Sequence, residues 1–196
     1  MSDQPTSILP GAGGFGSEPT KTQPTRRPLA WNPGTDIGLL LLRFAVGGTF
    51  FAHGMQIVSG LWGGQGIDAF ARTLEGFGYQ QPGVLAWVAG ITAVAGGALV
   101  VLGFLTPLAA GGLLALMINS VAVKFGNGFF VASPAGANAV ELDVVLGLAA
   151  AALTLTGAGR IALDKGRTWN VRPAAWGVLA LIVGVAAGVL VLVLLR

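Results

Sequence analysis

Six polar side chains lie inside or just beyond the long apolar runs of this 196-residue chain, and their types suit quinone binding or proton transfer. Ionisable groups beside apolar segments are rare and costly in lipid, so each one is a candidate functional residue. Pairing between such residues lowers that cost. We therefore expect the six side chains to form a cluster at similar depth near the outer face of a membrane. The alternative is a structural polar plug that pins the helices together. The six residues are His53, Gln56, Lys124, Asn127, Glu141 and Asp143.

A second charged group lies near the opposite ends of the same runs. Arg43 lies about six residues into the first run, roughly 9 Å along a helix axis. Its guanidinium is expected either to snorkel to the headgroups or to pair with Asp36 or Asp164. Together with Arg160, these residues are predicted to form charge pairs at the inner interface of the membrane.

The sequence has few of the residue types that bind metals or redox cofactors. The chain has no cysteine and one histidine, so it lacks thiolate ligands and the paired axial histidines of a membrane b-type haem. Glu141 and Asp143 are two residues apart and do not share a helix face well. We therefore predict no metal, no catalytic residue and no resident cofactor, with a quinone or a lipid as the ligand of any site. The net charge of only +3 gives no reason to expect a nucleic-acid partner.

Five apolar runs must position these groups, and they predict an all-α, polytopic membrane helix bundle. Charged residues make up 10% of the chain, against about a quarter in soluble domains. A span across a hydrocarbon core of about 30 Å needs about 20 apolar residues. In lipid, the backbone N–H and C=O groups can hydrogen-bond to each other within helices. The runs are Ile37–Val58, Val84–Leu105, Leu108–Val123, Ala139–Thr156 and Ala174–Leu195.

The chain divides into three predicted parts. Residues 1–33 form a disordered cytoplasmic tail, residues 34–165 a four-helix bundle, and residues 166–196 a linker with a fifth transmembrane helix. The loop 59–82 contains a short amphipathic helix, with Trp62 and Tyr79 at headgroup level. The apolar positions of this helix are Ile67, Ala71, Leu74 and Phe77, and its polar positions are Asp68, Arg72 and Glu75.

The distribution of Lys and Arg predicts the orientation. Seven basic residues lie in the N-terminal tail and in the loop before the last run, against Arg72, Lys124 and Arg196 on the other face. This asymmetry predicts a cytoplasmic N-terminus and an external C-terminus. The seven are Lys21, Arg26, Arg27, Arg160, Lys165, Arg167 and Arg172.

Several short motifs, in order, resemble the DoxX/DoxD family of small bacterial membrane proteins over about residues 36–165. They are Leu41-Leu42-Arg43-Phe44, Phe50-Phe51-Ala52-His53-Gly54, Leu102-Gly103-Phe104-Leu105-Thr106, Asn127-Gly128-Phe129-Phe130 and the closing stretch from Gly157 to Asp164. The resemblance implies a four-helix bundle that accompanies redox enzymes. One branch of the family is the small subunit of a thiosulfate:quinone oxidoreductase. Ile57 and Ala93 stand where the family often has Lys and Glu, so two ionisable groups are missing here.

The fifth run lies beyond the usual four helices. Gly177, Gly184 and Gly188 share one side of it, which suits close packing either on a partner helix or on the chain's own bundle. The leading hypothesis is a non-catalytic accessory or assembly subunit of a larger membrane-bound respiratory or oxidoreductase complex, for example a bacterial cytochrome bc–oxidase supercomplex. The alternatives are a DoxD-like subunit of a thiosulfate:quinone oxidoreductase and, third, a small-molecule carrier.

Overall fold

The computed structural model describes residues 33–130, 132, 139–165 and 173–196, and within them all regular structure is helical. Apart from Pro33, the predicted tail lies outside the described residues, as do residues 166–172 of the predicted linker. The predicted all-α class is confirmed. The helices are α1 (Pro33–Ser59), α2 (Gly66–Gly76), α3 (Pro82–Leu102), α4 (Thr106–Lys124), α5 (Glu141–Thr156) and α6 (Pro173–Leu194). Short 3₁₀ turns follow α1 at Leu61–Gly63 and α4 at Phe125–Asn127.

Four helices in the described part of the chain are long and apolar enough to cross a membrane: Pro33–Ser59, Pro82–Leu102, Thr106–Asn127 and Ala174–Leu194. The fourth predicted run, Ala139–Thr156, differs. Its helix α5 has 16 residues and begins at Glu141, not at Ala139. At 1.5 Å per residue it is about 24 Å long, which is less than a typical hydrocarbon core. It starts late because the N–H of Val140 donates to the Gly128 carbonyl (3.3 Å).

The helices pack in a defined order: α1 against α3, α3 against α4, and α4 against both α5 and α6. The core contains Val46, Phe50, Val100, Leu113 and Leu153. Apolar side chains also cover much of the outer surface, as expected where the surrounding solvent is lipid.

Three glycines, Gly47 and Gly54 of α1 and Gly97 of α3, let the two helices approach closely. A Cβ atom added to Gly97 would lie 2.6 Å from the Gly47 carbonyl oxygen, and one added to Gly54 would lie 2.6 Å from the Val94 nitrogen. Small residues at such contacts allow helix backbones to pack without side chains between them. This contact determines where the second half of α1, which carries His53, lies relative to α3.

The bundle has two ends, named here after α1 residues. The Arg43 end contains the start of α1, the α3–α4 turn and residues 157–165, and the Leu163 N–H donates to the Leu102 carbonyl there (3.3 Å). The His53 end contains the end of α1, α2 and the start of α3. The end of α6 is tied to it because the Gln80 N–H donates to the Leu195 carbonyl (2.6 Å).

Candidate functional site

A cavity of about 980 Å³ opens at the His53 end between α1, α2, α3, α4 and α6. We name it the His53 cavity. Its volume is at the upper end of the range of small-molecule sites, which are mostly apolar with a few convergent polar groups. The apolar lining includes Ile57, Phe70, Leu74, Phe77, Leu85, Val88, Leu116, Met117, Val123 and Val191.

Helix α2 covers part of this cavity with its apolar side. Leu74 and Phe77, from the predicted apolar stripe, line the cavity together with Phe70. Asp68 and Glu75, from the predicted polar side, are exposed. The amphipathic helix predicted for the loop 59–82 is therefore present, and it packs mainly on α3.

Four of the six predicted polar residues line the His53 cavity: His53, Gln56, Lys124 and Asn127. The His53 Nδ1 atom lies 3.1 Å from the Gln56 Oε1 atom, one helical turn away. A carboxamide oxygen only accepts hydrogen bonds, so this contact is a hydrogen bond in the tautomer that carries the proton on Nδ1, and that tautomer leaves Nε2 as an acceptor. Both residues lie on α1, where the tight packing on α3 holds the backbone.

The remaining two predicted residues lie beside the cavity and do not line it. Asp143 accepts an ion-pair hydrogen bond from Lys124, with Nζ and Oδ2 2.9 Å apart, which links α5 to α4. Glu141 begins α5, and its N–H donates to the Phe129 carbonyl (3.0 Å). The predicted polar residues are therefore divided between a cavity lining and a link between helices.

Tyr79, which was predicted at headgroup level, is buried within the protein. Only 6% of its surface is exposed, and its hydroxyl donates to the Asn119 Oδ1 atom at 3.0 Å. Asn119 lies inside α4, and both residues line the His53 cavity. Asn119 was missed, although an amide within an apolar membrane run is a detectable signal. Nothing in the sequence indicated that Tyr79 belongs to the site, because Tyr79 lies outside every apolar run.

Burial raises the pKa of the Tyr79 phenol, while the positive charge of Arg196 opposes that rise. Tyr79 is the single tyrosine of the chain, so the absorbance of tyrosinate reports on it alone. We expect its titration midpoint in detergent to lie above the ordinary value of about 10 and to return there on denaturation. Arg196→Gln should raise the midpoint further, whereas Arg72→Gln, on exposed α2, should not. A midpoint at or below the ordinary value in the folded protein would contradict this burial.

Arg43 is a fully buried charged residue, with 1% of its surface exposed. The prediction that it snorkels or pairs with Asp36 or Asp164 is wrong. Its guanidinium donates to four backbone carbonyls, those of Val100 (2.8 Å), Val101 (2.6 Å), Ala158 (2.9 Å) and Ile161 (2.6 Å). Arginine has five N–H donors in a rigid plane, so one side chain can cap the end of α3 and the 157–165 segment together.

The two aspartates at the Arg43 end also bind backbone groups. Asp36 Oδ1 accepts from the Arg160 N–H at 2.9 Å, and Asp164 Oδ2 accepts from the Leu105 N–H at the start of α4. The Arg160 side chain is exposed. The predicted charge pairs among these four residues are thus replaced by charge-to-backbone bonds, because helix ends and turns leave unsatisfied N–H and C=O groups that lipid cannot satisfy.

The small-residue side of α6 packs within the chain. A Cβ atom added to Gly177 would clash with the Thr154 carbonyl of α5, and one added to Gly184 would clash with the Gly111 carbonyl of α4. A Cβ atom at Gly188 would lie 3.2 Å from the Ala115 carbonyl oxygen. Of the two interpretations of these glycines, the structure supports packing on the chain's own bundle, and the proposed use of this side for a partner helix is corrected.

The fold and cavity define the class of protein: a multi-pass helical membrane protein with a large, mainly apolar cavity at one end. The DoxX family model matches residues 38–126, from the first turns of α1 to the turn after α4. This match confirms the resemblance to the DoxX family for α1 to α4, while α5 and α6 lie outside the match. No curated protein and no solved structure shows significant similarity to the chain.

Proposed function

We propose that this protein is a non-catalytic membrane subunit that holds an amphipathic molecule of the quinone or lipid class in the His53 cavity. It does so as part of a larger respiratory or oxidoreductase complex in a bacterial plasma membrane, with the Arg43 end towards the cytoplasm. The observation that carries this proposal is the cavity itself. Its size, its apolar lining and the few polar groups among that lining suit a molecule with an apolar body and a polar head.

The non-catalytic part of the proposal rests on the residue types available. With no cysteine and one histidine, the chain offers few groups that can hold a redox centre, so electrons would have to come from a partner. Ile57, where the family often has lysine, contributes an apolar side chain to the cavity. The match of α1 to α4 to the DoxX family model supports a redox setting, since that resemblance implies a bundle that accompanies redox enzymes.

The test combines purification with analysis of what remains bound. In mild detergent, we expect mass spectrometry and visible haem spectra to reveal oxidoreductase subunits, and solvent extraction to yield about one amphipathic molecule per chain. Ala89→Phe, which fills the cavity, should remove the extracted molecule. Ala95→Phe is the matched control because Ala95 lies on the same helix, is exposed and does not line the cavity. A protein that purifies alone and without any such molecule would contradict the proposal.

The second candidate is a DoxD-like subunit that takes part in quinone reduction. His53 and Lys124 favour it because both line the cavity, and His53 Nε2 is available to accept a proton. His53→Ala should then abolish quinone reduction by the protein with its partner and leave the amount of protein unchanged. Under the leading proposal, the same variant retains turnover when quinone is in excess. The rate at saturating quinone therefore separates the two candidates.

A further inference from the structure

Three groups on three elements form a short hydrogen-bonded chain beside the His53 cavity. The Tyr79 hydroxyl donates to Asn119 Oδ1, and Asn119 Nδ2 donates to the carbonyls of Ala115 (3.0 Å) and of Gly188 on α6 (3.1 Å). Carbonyl oxygens only accept, so the two carbonyls require the NH₂ group of Asn119 to face them and its oxygen to face Tyr79. The α6 helix, which lies outside the family match, thus sets the direction of every bond in the chain.

Because the Asn119 oxygen faces Tyr79, the single proton of the Tyr79 hydroxyl is used in the hydrogen bond to that oxygen. Within the described residues, the phenol is the donor that satisfies Asn119 Oδ1. If the proton turned towards a ligand, that part-buried amide oxygen would lose its donor, which costs roughly a 5- to 100-fold loss of affinity. Tyr79 therefore offers the cavity only the lone pairs of its oxygen, and those lone pairs accept hydrogen bonds.

His53 adds a second acceptor. In the tautomer that donates its Nδ1 proton to Gln56 Oε1, the neutral ring offers Nε2 to the cavity. The lining also contains donors. The amide groups of Gln56, Gln65 and Asn127 can donate or accept, as can the hydroxyls of Thr92 and Ser120, and the Lys124 ammonium donates while it also binds Asp143. A hydroxyl on the ligand can donate to Tyr79 and accept from these groups, whereas a carbonyl can only accept.

We infer that the His53 cavity selects a ligand whose polar head donates hydrogen bonds, which for the quinone class means the hydroquinone and not the quinone. This inference rests on the proposed function, in which the cavity holds an amphipathic molecule. It adds the chemical form of the head and assigns Tyr79 as the residue that selects it. Asn119 acts through Tyr79 and is a positioning residue.

The test compares three probes that differ only in the head: a short-chain benzohydroquinone, the matching benzoquinone and the matching dimethoxybenzene. Binding is measured by anaerobic equilibrium dialysis with the full chain in detergent. We expect the hydroquinone to bind about 10-fold more tightly than the other two. Its hydroxyl donates a hydrogen bond to the Tyr79 oxygen, whereas the oxygens of the other two probes can only accept. A monoacylglycerol and its dimethyl ether form a second pair. A preference for the free diol in that pair alone would identify a glycerol head as the source of the donors.

Two variants give opposite signatures. Tyr79→Phe removes the acceptor and should reduce the hydroquinone preference to about threefold or less. Asn119→Leu frees the tyrosine proton to donate, so the preference should shift towards the quinone. Thr49→Val is the control, because it removes a hydroxyl that bonds to its own helix at the Ala45 carbonyl and does not line the cavity.

The outcomes separate the inference from the proposed function. A donor preference that Tyr79→Phe abolishes supports the inference. Equal binding of all three probes, or tighter binding of the quinone by the unaltered protein, overturns the inference and leaves the proposed function standing. If no probe of either pair binds, the proposed function fails and the inference fails with it.

Discussion

Replacement of Arg43 by methionine is expected to lower the free energy of unfolding by about 3–5 kcal/mol, the largest effect of any single substitution proposed here. The guanidinium donates to carbonyls at the end of α3 and in the 157–165 segment. Methionine has a similar length, so it fills much of the same space and removes mainly the donors. Four buried carbonyls then lose a charged partner together, and lipid offers them no replacement.

Lysine at the same position should recover only part of this stability. Its ammonium is a compact point charge with three donors, and it cannot reach four carbonyls on two segments as a planar guanidinium does. Gly103 packs directly against this side chain. Its φ is +69°, and a Cβ atom there would clash with the Arg43 guanidinium. We therefore expect Arg43→Lys to lie between the wild type and Arg43→Met.

The measurement is thermal or detergent-induced unfolding followed by circular dichroism, with retention of α-helix before the transition as the check on folding. Arg160→Met is the matched control, since Arg160 lies at the same end, is exposed and contributes its backbone N–H to Asp36. It should change stability by less than about 0.5 kcal/mol. If Arg43→Met lowers the free energy of unfolding no more than Arg160→Met does, the four hydrogen bonds of Arg43 are not a major source of stability.

Gly184→Ala is expected to cost about 2–3 kcal/mol through the contact between α6 and α4. A Cβ atom at this position would clash with the Gly111 carbonyl oxygen and would also lie 2.9 Å from the Gly111 carbonyl carbon. These are backbone atoms of a neighbouring helix, so no side chain can rotate to make room. The helices must move apart, which also disturbs the Gly188 carbonyl that orients Asn119.

The control for this prediction is the same substitution on another membrane helix. Gly48 lies within α1, and a Cβ atom there would meet nothing within 4 Å. Gly48→Ala should therefore be neutral or stabilising by about 0.5–1 kcal/mol, because alanine restricts the unfolded chain and favours helix. Unfolding in detergent measures both variants. Equal effects of the two substitutions would contradict the close packing of α6 on α4.

Much of the architecture was predictable because lipid leaves the backbone few choices. The apolar runs predicted the membrane helices, since a chain in hydrocarbon must satisfy its N–H and C=O groups internally. Period-3.6 spacing also predicted the amphipathic helix at Gly66–Gly76. The predicted start of α5 was early by two residues because apolar character does not distinguish Ala139 and Val140 in a turn from the helix that follows.

The candidate site was predictable only in part. His53, Gln56, Lys124 and Asn127 were recognised because they are polar residues near the ends of apolar runs, and they do line one cavity. Sequence spacing cannot state which groups face each other across a bundle. Tyr79 and Asn119 are 40 residues apart, and their bond exists only because α2 and the loop after it pack over α3 and α4.

The sequence by itself determined that this chain forms membrane helices and which of its residue types could do chemistry. The tertiary structure alone decided where each polar group found its partner. Arg43 satisfies carbonyls and not carboxylates, and the glycines of α6 meet the chain's own α4 and α5. The physical reason is that helix formation in lipid depends on local backbone hydrogen bonds, whereas hydrogen-bond and packing partners depend on how separate helices approach each other.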